Sequence, residues 1–181
     1  MENSCNESSC CSCSSGCCDS TSESKKTKVN IDFLYLDLTE CERCMGTDLI
    51  LYESLLDITK LLDAAGVELI INKINVNSEA LAIKYKFVSS PTIRINGRDI
   101  QMEVKENSCK SCGDLCGDDV NCRVFIYQGN EYEIPPKAMV IEGILKEVYG
   151  VNQQKNEELE LDYILPENLK KFYDAMKLKQ I

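Results

Sequence analysis

Histidine and tryptophan are absent from the 181 residues. Without histidine the chain has neither the commonest general base nor the commonest nitrogen ligand for a metal, so any metal here rests on thiolates and carboxylates. Long apolar runs are also missing. No segment approaches the roughly 18 apolar residues of a membrane span, and the first thirty residues contain no apolar core of a secretory signal. Basic charge is scarce: 20 Lys and Arg stand against 30 Asp and Glu, a net charge of -10. A phosphate backbone requires a basic stripe, and none is present, so nucleic acid is excluded as the expected partner. These absences together give a cytoplasmic protein, with no membrane partner, as the expectation.

What the chain has in excess is cysteine, twelve in all. Thiol buffers keep structural disulfides rare in the expected compartment, so the cysteines read as redox groups, metal ligands or both. Six of them lie within residues 1–27 beside nine serines and almost no large apolar side chain. Such a segment buries too little surface to offset its ordering entropy, and the expectation is a disordered tail. Its neighbouring pairs, Cys10-Cys11 and Cys17-Cys18, suit the capture of soft ions such as Cu(I), Hg(II) or As(III), although composition alone accounts for them equally well.

From Val29 the texture changes. Ile31, Phe33 and Tyr35 with Leu34 and Leu36 predict a strand covered on both faces. A helix opens at Thr39-Glu40-Cys41, carries Leu51, Leu55, Ile58 and Leu62 on one face, and stops at Gly66. Val67 to Val76 predicts a second strand. Ser78 caps a short helix through Ala82 and Tyr85, and a strand runs from Pro91 to the Asn96-Gly97 turn. A cysteine-rich insertion occupies 105–122, a hairpin follows across Gly129-Asn130, and Pro135-Pro136 starts a helix with Ile141, Ile144, Leu145 and Val148. The domain is expected over 28–150. Residues 151–181 then give an acidic linker and a helix whose stripe of Leu169, Phe172, Tyr173 and Met176 is expected to dock on the core.

Cys41-Glu42-Arg43-Cys44 sits where a strand gives way to a long helix. The helix dipole and its unpaired amides favour a thiolate on Cys41, and Cys44 lies one turn away within disulfide reach. Cys41 is therefore the expected attacking thiol and Cys44 the resolving one. Arg43 favours the thiolate, while Glu40, Glu42 and Asp37 oppose it. The same spacing serves a zinc half-site. In the insertion, Cys109, Cys112, Cys116 and Cys122 supply four sulfurs, with Gly113 and Gly117 allowing a tight fold. That set suits zinc, a pair of disulfides, a second dithiol, or an iron-sulfur cluster; a site built from Cys41, Cys44, Cys109 and Cys112 is a further arrangement.

Residues 29–97, with Cys-x-x-Cys and the run Ala82-Ile83-Lys84-Tyr85-Lys86-Phe87-Val88-Ser89-Ser90-Pro91-Thr92-Ile93, resemble the first part of the thioredoxin fold. The resemblance implies an α/β, thioredoxin-like fold with a mixed four- to five-stranded sheet flanked by helices, a cysteine-rich insertion and a C-terminal helix. It further implies a cis Ser90-Pro91 peptide, a catalytic-site role for Pro91, and a substrate-binding role for the Ser90 backbone. The chain differs from thioredoxin in lacking Trp, in carrying Tyr35 where a buried Asp is kept, and in placing Glu42-Arg43 between the cysteines. Cys-Glu-Arg-Cys, Ile95-Asn96-Gly97-Arg98-Asp99-Ile100, Cys109-Lys110-Ser111-Cys112, Cys122-Arg123 and Pro135-Pro136 are similar to the DF family of (seleno)proteins, which has no established activity.

Two functions are expected in competition. One is a thiol-disulfide oxidoreductase using Cys41 and Cys44, with no cofactor required and a protein or small-molecule disulfide as partner. The other is a module binding soft metals or metalloids, with zinc as the first candidate. A structural partner protein using the acidic linker and last helix is the third reading.

Overall fold

The computed structural model describes residues 26–116, 120–150 and 163–179. The expected tail over 1–27, with its six cysteines, lies outside the described residues except for its last two positions, and so does most of the expected linker.

Strand β1 (Thr27–Tyr35) is an inner strand of a four-stranded sheet. Its partners are β2 (Val67–Asn75), which runs parallel to it, and β3 (Thr92–Ile95), which runs antiparallel. The short β4 (Arg98–Asp99) closes the edge, and both residues of its turn, Asn96 and Gly97, take positive φ of 50° and 83°. The alternation along β1 explains why this strand is central. Val29, Ile31 and Phe33 point to one face, while Leu34 and Leu36 enter a second apolar cluster on the other.

Helix α1 (Glu42–Ala64) and helix α4 (Lys137–Tyr149) pack over the first face. Leu51, Leu55, Ile58 and Leu62 are buried there as the spacing predicts, each contributing about 1.5–3 kcal/mol through removal from water. Gly66, at φ 79°, ends the turn after α1 and lets the chain reverse directly into β2. The short α2 (Glu79–Lys84) is capped by Ser78, whose side chain accepts from the Leu81 amide.

The second face is where the insertion lies. It comprises β5 (Lys105–Ser108), α3 (Lys110–Cys116), β6 (Asn121–Tyr127) and β7 (Asn130–Tyr132). The expected hairpin forms, but its turn falls on Gln128-Gly129, one position earlier than the sequence suggests, and it pairs with β5 in a separate three-stranded sheet. The final helix α5 (Glu167–Lys179) docks through Leu169, Phe172 and Tyr173, all buried, so its apolar stripe meets a core. The architecture is α/β, with a mixed four-stranded sheet, a second small sheet and a C-terminal helix, consistent with a thioredoxin-like fold. No helix among the described residues is long and apolar enough to cross a membrane.

Candidate metal centre

Between β1 and α1 the chain turns through Leu36–Glu40. The Asp37 carboxylate accepts from the amides of Thr39, Glu40 and Cys41 at 2.8, 2.6 and 3.3 Å. Burial pushes that carboxyl up, but these amide bonds outweigh it and hold it below the ordinary range. Asp37 therefore shapes the loop that presents Cys41, a role its place in the sequence does not reveal. Cys41 is the N-cap of α1, and its sulfur accepts from the Cys44 amide at 3.4 Å.

Three insertion cysteines converge on this cap. Cys109 leads into α3 and its amide donates to the Val120 carbonyl, 2.9 Å away, tying both ends of the α3 segment together. Cys112 lies one turn further on, and Cys122 stands on β6 opposite Asn107 of β5. The Cys112 sulfur is 3.5 Å from that of Cys41 and 3.3 Å from that of Cys122. All four sulfurs, Cys41, Cys109, Cys112 and Cys122, lie within 4.8 Å of one another, and each residue is buried. Four thiolates around a tetrahedral zinc, at Zn–S of about 2.3 Å, stand about 3.8 Å apart, so this spacing brackets the requirement. A disulfide needs about 2.05 Å, well short of the 3.3 and 3.5 Å separating Cys112 from Cys122 and Cys41.

The electrostatics of the cluster point the same way. Hydrogen bonds from Cys109, Cys112 and Cys122, followed by Cys44, hold the Cys41 thiol far below its ordinary range. Cys109 is pulled down to about 7, chiefly by Cys112 and Cys122. Cys112 and Cys122 are pushed up, with Cys109 as the largest cause, because adjacent buried sulfurs cannot all ionise side by side. A bound divalent cation removes that conflict by neutralising the thiolates together.

Arg43, between the two cysteines of the motif, is only 7% exposed. Its guanidinium donates to Asn107 Oδ1, the Ser108 carbonyl, the Cys122 carbonyl and Glu133 Oε1. It thus ties the start of α1 to both β5 and β6, on which the insertion thiols depend. Arg123, fully buried one residue after Cys122, pairs bidentately with Asp99 and also donates to Thr92 Oγ1 and the Gln101 carbonyl. These two arginines anchor the insertion to the sheet and to α1. Neither has a local sequence signal, since their partners lie 22 to 90 positions away.

Cys44 stands apart from the four. Its sulfur is 3.3 Å from Ser90 Oγ, which also accepts from the Leu36 amide at 3.1 Å. The interaction with Cys41 and burial push its thiol up, so it is held neutral. The Ser90–Pro91 peptide is cis. The Ser90 carbonyl accepts from the Arg123 amide at 2.7 Å, so the backbone group that the thioredoxin resemblance offers to an incoming chain is met by the protein's own β6. Ser90 and Pro91 are buried beneath the insertion.

The structure therefore gathers Cys41, Cys44, Ser90, Pro91, Cys109, Cys112 and Cys122 in one place. The side chain of Cys116, expected to complete the insertion set, lies outside the described residues; among the described thiols the fourth position belongs to Cys41. On the outer side Leu169, Phe172 and Tyr173 of α5 share the cysteines' apolar cluster. Asn168 binds both the amide and the carbonyl of Asn121 at the start of β6, at 2.8 and 2.7 Å. This shell keeps water from the sulfurs, which strengthens any thiolate–cation bond formed inside it. A shallow apolar groove of about 580 Å³ along α4, lined by Ala138, Ile141, Leu145 and Tyr149, contains none of the thiols.

No curated protein and no solved structure matches the chain. Residues 29–144, more than half of the chain and the span that carries every thiol of the cluster, match the family described as a domain of unknown function (DUF2703), and the protein belongs to that family.

Proposed function

We propose that the protein is a soft-metal thiolate protein in which a zinc-class ion is held by Cys41, Cys109, Cys112 and Cys122 on a thioredoxin-like domain spanning 28–150. The convergence of four buried thiols within 4.8 Å carries this reading. A set of four thiolates selects soft or borderline ions and leaves no open position on a tetrahedral metal, so the site holds its ion rather than activating water. The burial of Cys41 and Cys44 beneath the insertion also argues against open exchange with large disulfide substrates.

Anaerobic loading of the full chain with one equivalent of zinc, read by native mass spectrometry against a competing chelator, tests it. Cys41→Ser, Cys109→Ser, Cys112→Ser and Cys122→Ser should each lose the tight site, while Cys44→Ser and Cys116→Ser keep it. Equal retention across all six variants refutes the assignment.

The second reading, thiol-disulfide exchange through Cys41 and Cys44, is favoured by one observation: Cys41 caps α1 and receives the Cys44 amide, an arrangement that supports a nucleophilic thiolate. Its test is a Cys44→Ser trap. Recovery of a mixed disulfide through Cys41 supports exchange, and failure to recover one beside a working thioredoxin control counts against it. In either reading the expected setting is a cytoplasm whose thiol pool keeps the cluster reduced.

A further inference from the structure

Cys41 takes part in two arrangements that exclude each other. It is one of the four converging sulfurs, and it is also the first cysteine of a Cys-x-x-Cys pair at a helix start, where a disulfide to the fourth residue closes within ordinary geometry. A disulfide sulfur carries no thiolate charge and is no longer a ligand of the kind the site requires. Cys44 is well placed to make that change. It lies outside the four-sulfur set, buried at 3.3 Å from Ser90 Oγ, and the Cys44 amide already contacts the Cys41 sulfur at 3.4 Å.

We infer that Cys44 is a releasing thiol: on reaction with a low-molecular-weight disulfide, the Cys41–Cys44 bond forms and the ion is expelled. This rests on the metal-site reading above. In the first step the Cys41 thiolate leaves the ion and attacks the small disulfide, giving a mixed disulfide on Cys41 and one small thiolate, which takes the Cys44 proton. In the second, the Cys44 thiolate so formed attacks the Cys41 sulfur; the Cys41–Cys44 bond forms and the second small thiolate departs, to be protonated by water. Two protein sulfurs are oxidised, one small disulfide is reduced to two thiols, and the ion faces only Cys109, Cys112 and Cys122. The reverse reaction with excess thiol restores the fourth ligand. By linkage, the ion must oppose the disulfide as strongly as the disulfide opposes the ion. Because both sulfurs are buried, access for the small disulfide requires a local opening, so equilibrium rather than rate is the measurement of choice.

The experiment equilibrates the zinc-loaded full chain anaerobically in glutathione buffers of increasing disulfide fraction, then measures retained zinc by native mass spectrometry and maps disulfides after acid quenching. Loading is verified first, on wild type and on Cys44→Ser. The expected result is loss of the bound zinc from wild type with a Cys41–Cys44 disulfide, a shift of that disulfide to more oxidising buffers when zinc is in excess, and retention of zinc by Cys44→Ser at buffers that empty wild type. Release from Cys44→Ser in the same buffers overturns the inference, as does a released wild type bridged at Cys112–Cys122 instead. A chain that takes up no zinc at the start overturns the metal reading and this one with it, whereas a loaded chain that releases by another bridge overturns this one alone.

Discussion

Replacing Arg43 by methionine keeps the length and apolar stem of the side chain while removing every donor. In the structure the guanidinium donates to two main-chain carbonyls, Ser108 at 2.9 Å and Cys122 at 3.4 Å, and to Asn107 and Glu133 side chains. The two carbonyls lose a charge-assisted partner in a site water reaches poorly, a cost of about 1–1.5 kcal/mol each. Glu133 is 62% exposed, so its ion pair adds less than about 1 kcal/mol. The total is about 2–4 kcal/mol, borne by the docking of the insertion on α1. Urea unfolding of the metal-free protein measures it, with an unchanged dependence on denaturant showing that the same surface is exposed. Glu133→Gln is the internal comparison and should cost under about 1 kcal/mol. Equal unfolding midpoints for Arg43→Met and wild type, or a larger loss in Glu133→Gln than in Arg43→Met, refute the role of Arg43 as the clamp.

Asp99→Asn leaves the fully buried Arg123 without its counter-charge; Asp99 itself is 21% exposed, and the expected loss is about 3 kcal/mol by thermal or denaturant unfolding. Leu169→Ala, in the face of α5 that meets the cysteines, should cost about 2–5 kcal/mol and speed thiol labelling of the cluster, a combination absent if α5 contributes nothing to its cover. Tyr173 donates to the Val76 carbonyl at 2.9 Å, and Tyr173→Phe should lose about 1 kcal/mol at neutral pH. Burial pushes the Tyr173 phenol up, so its stabilisation is complete below the unfolded value near 10 and is lost as pH rises toward the folded one. The deficit of Tyr173→Phe should accordingly shrink in alkaline unfolding experiments, and a deficit that grows there contradicts the assignment.

The elements of the main sheet and α1 were legible because their causes are local. Period-two burial along β1 and the Leu51, Leu55, Ile58, Leu62 spacing encode one strand and one helix face without reference to anything distant. The thiols were legible as chemistry, since Cys-x-x-Cys at a helix start and four cysteines in one insertion announce sulfur reactivity or metal binding. Their grouping was not. Cys41 and Cys112 are 71 positions apart, and the meeting of their sulfurs depends on how the three-stranded insertion folds back over the start of α1. The same distance hid Arg43, which in the sequence is merely a basic neighbour favouring a thiolate and in the fold is a tie between three segments. Asp37 is a related case: in the sequence its charge opposes the thiolate, and in the fold three amide bonds engage it in building the loop. Ser90 kept its place beside the dithiol, with its carbonyl met by the protein's own strand.

X-ray absorption at the zinc edge, on the full chain loaded anaerobically with one equivalent, tests the central claim most directly. The account predicts a shell of four sulfurs at about 2.3 Å that is unchanged in Cys44→Ser and becomes three sulfurs with one lighter neighbour, or disappears, in Cys41→Ser. A wild-type shell dominated by oxygen or nitrogen, or a four-sulfur shell that survives Cys41→Ser intact, contradicts it.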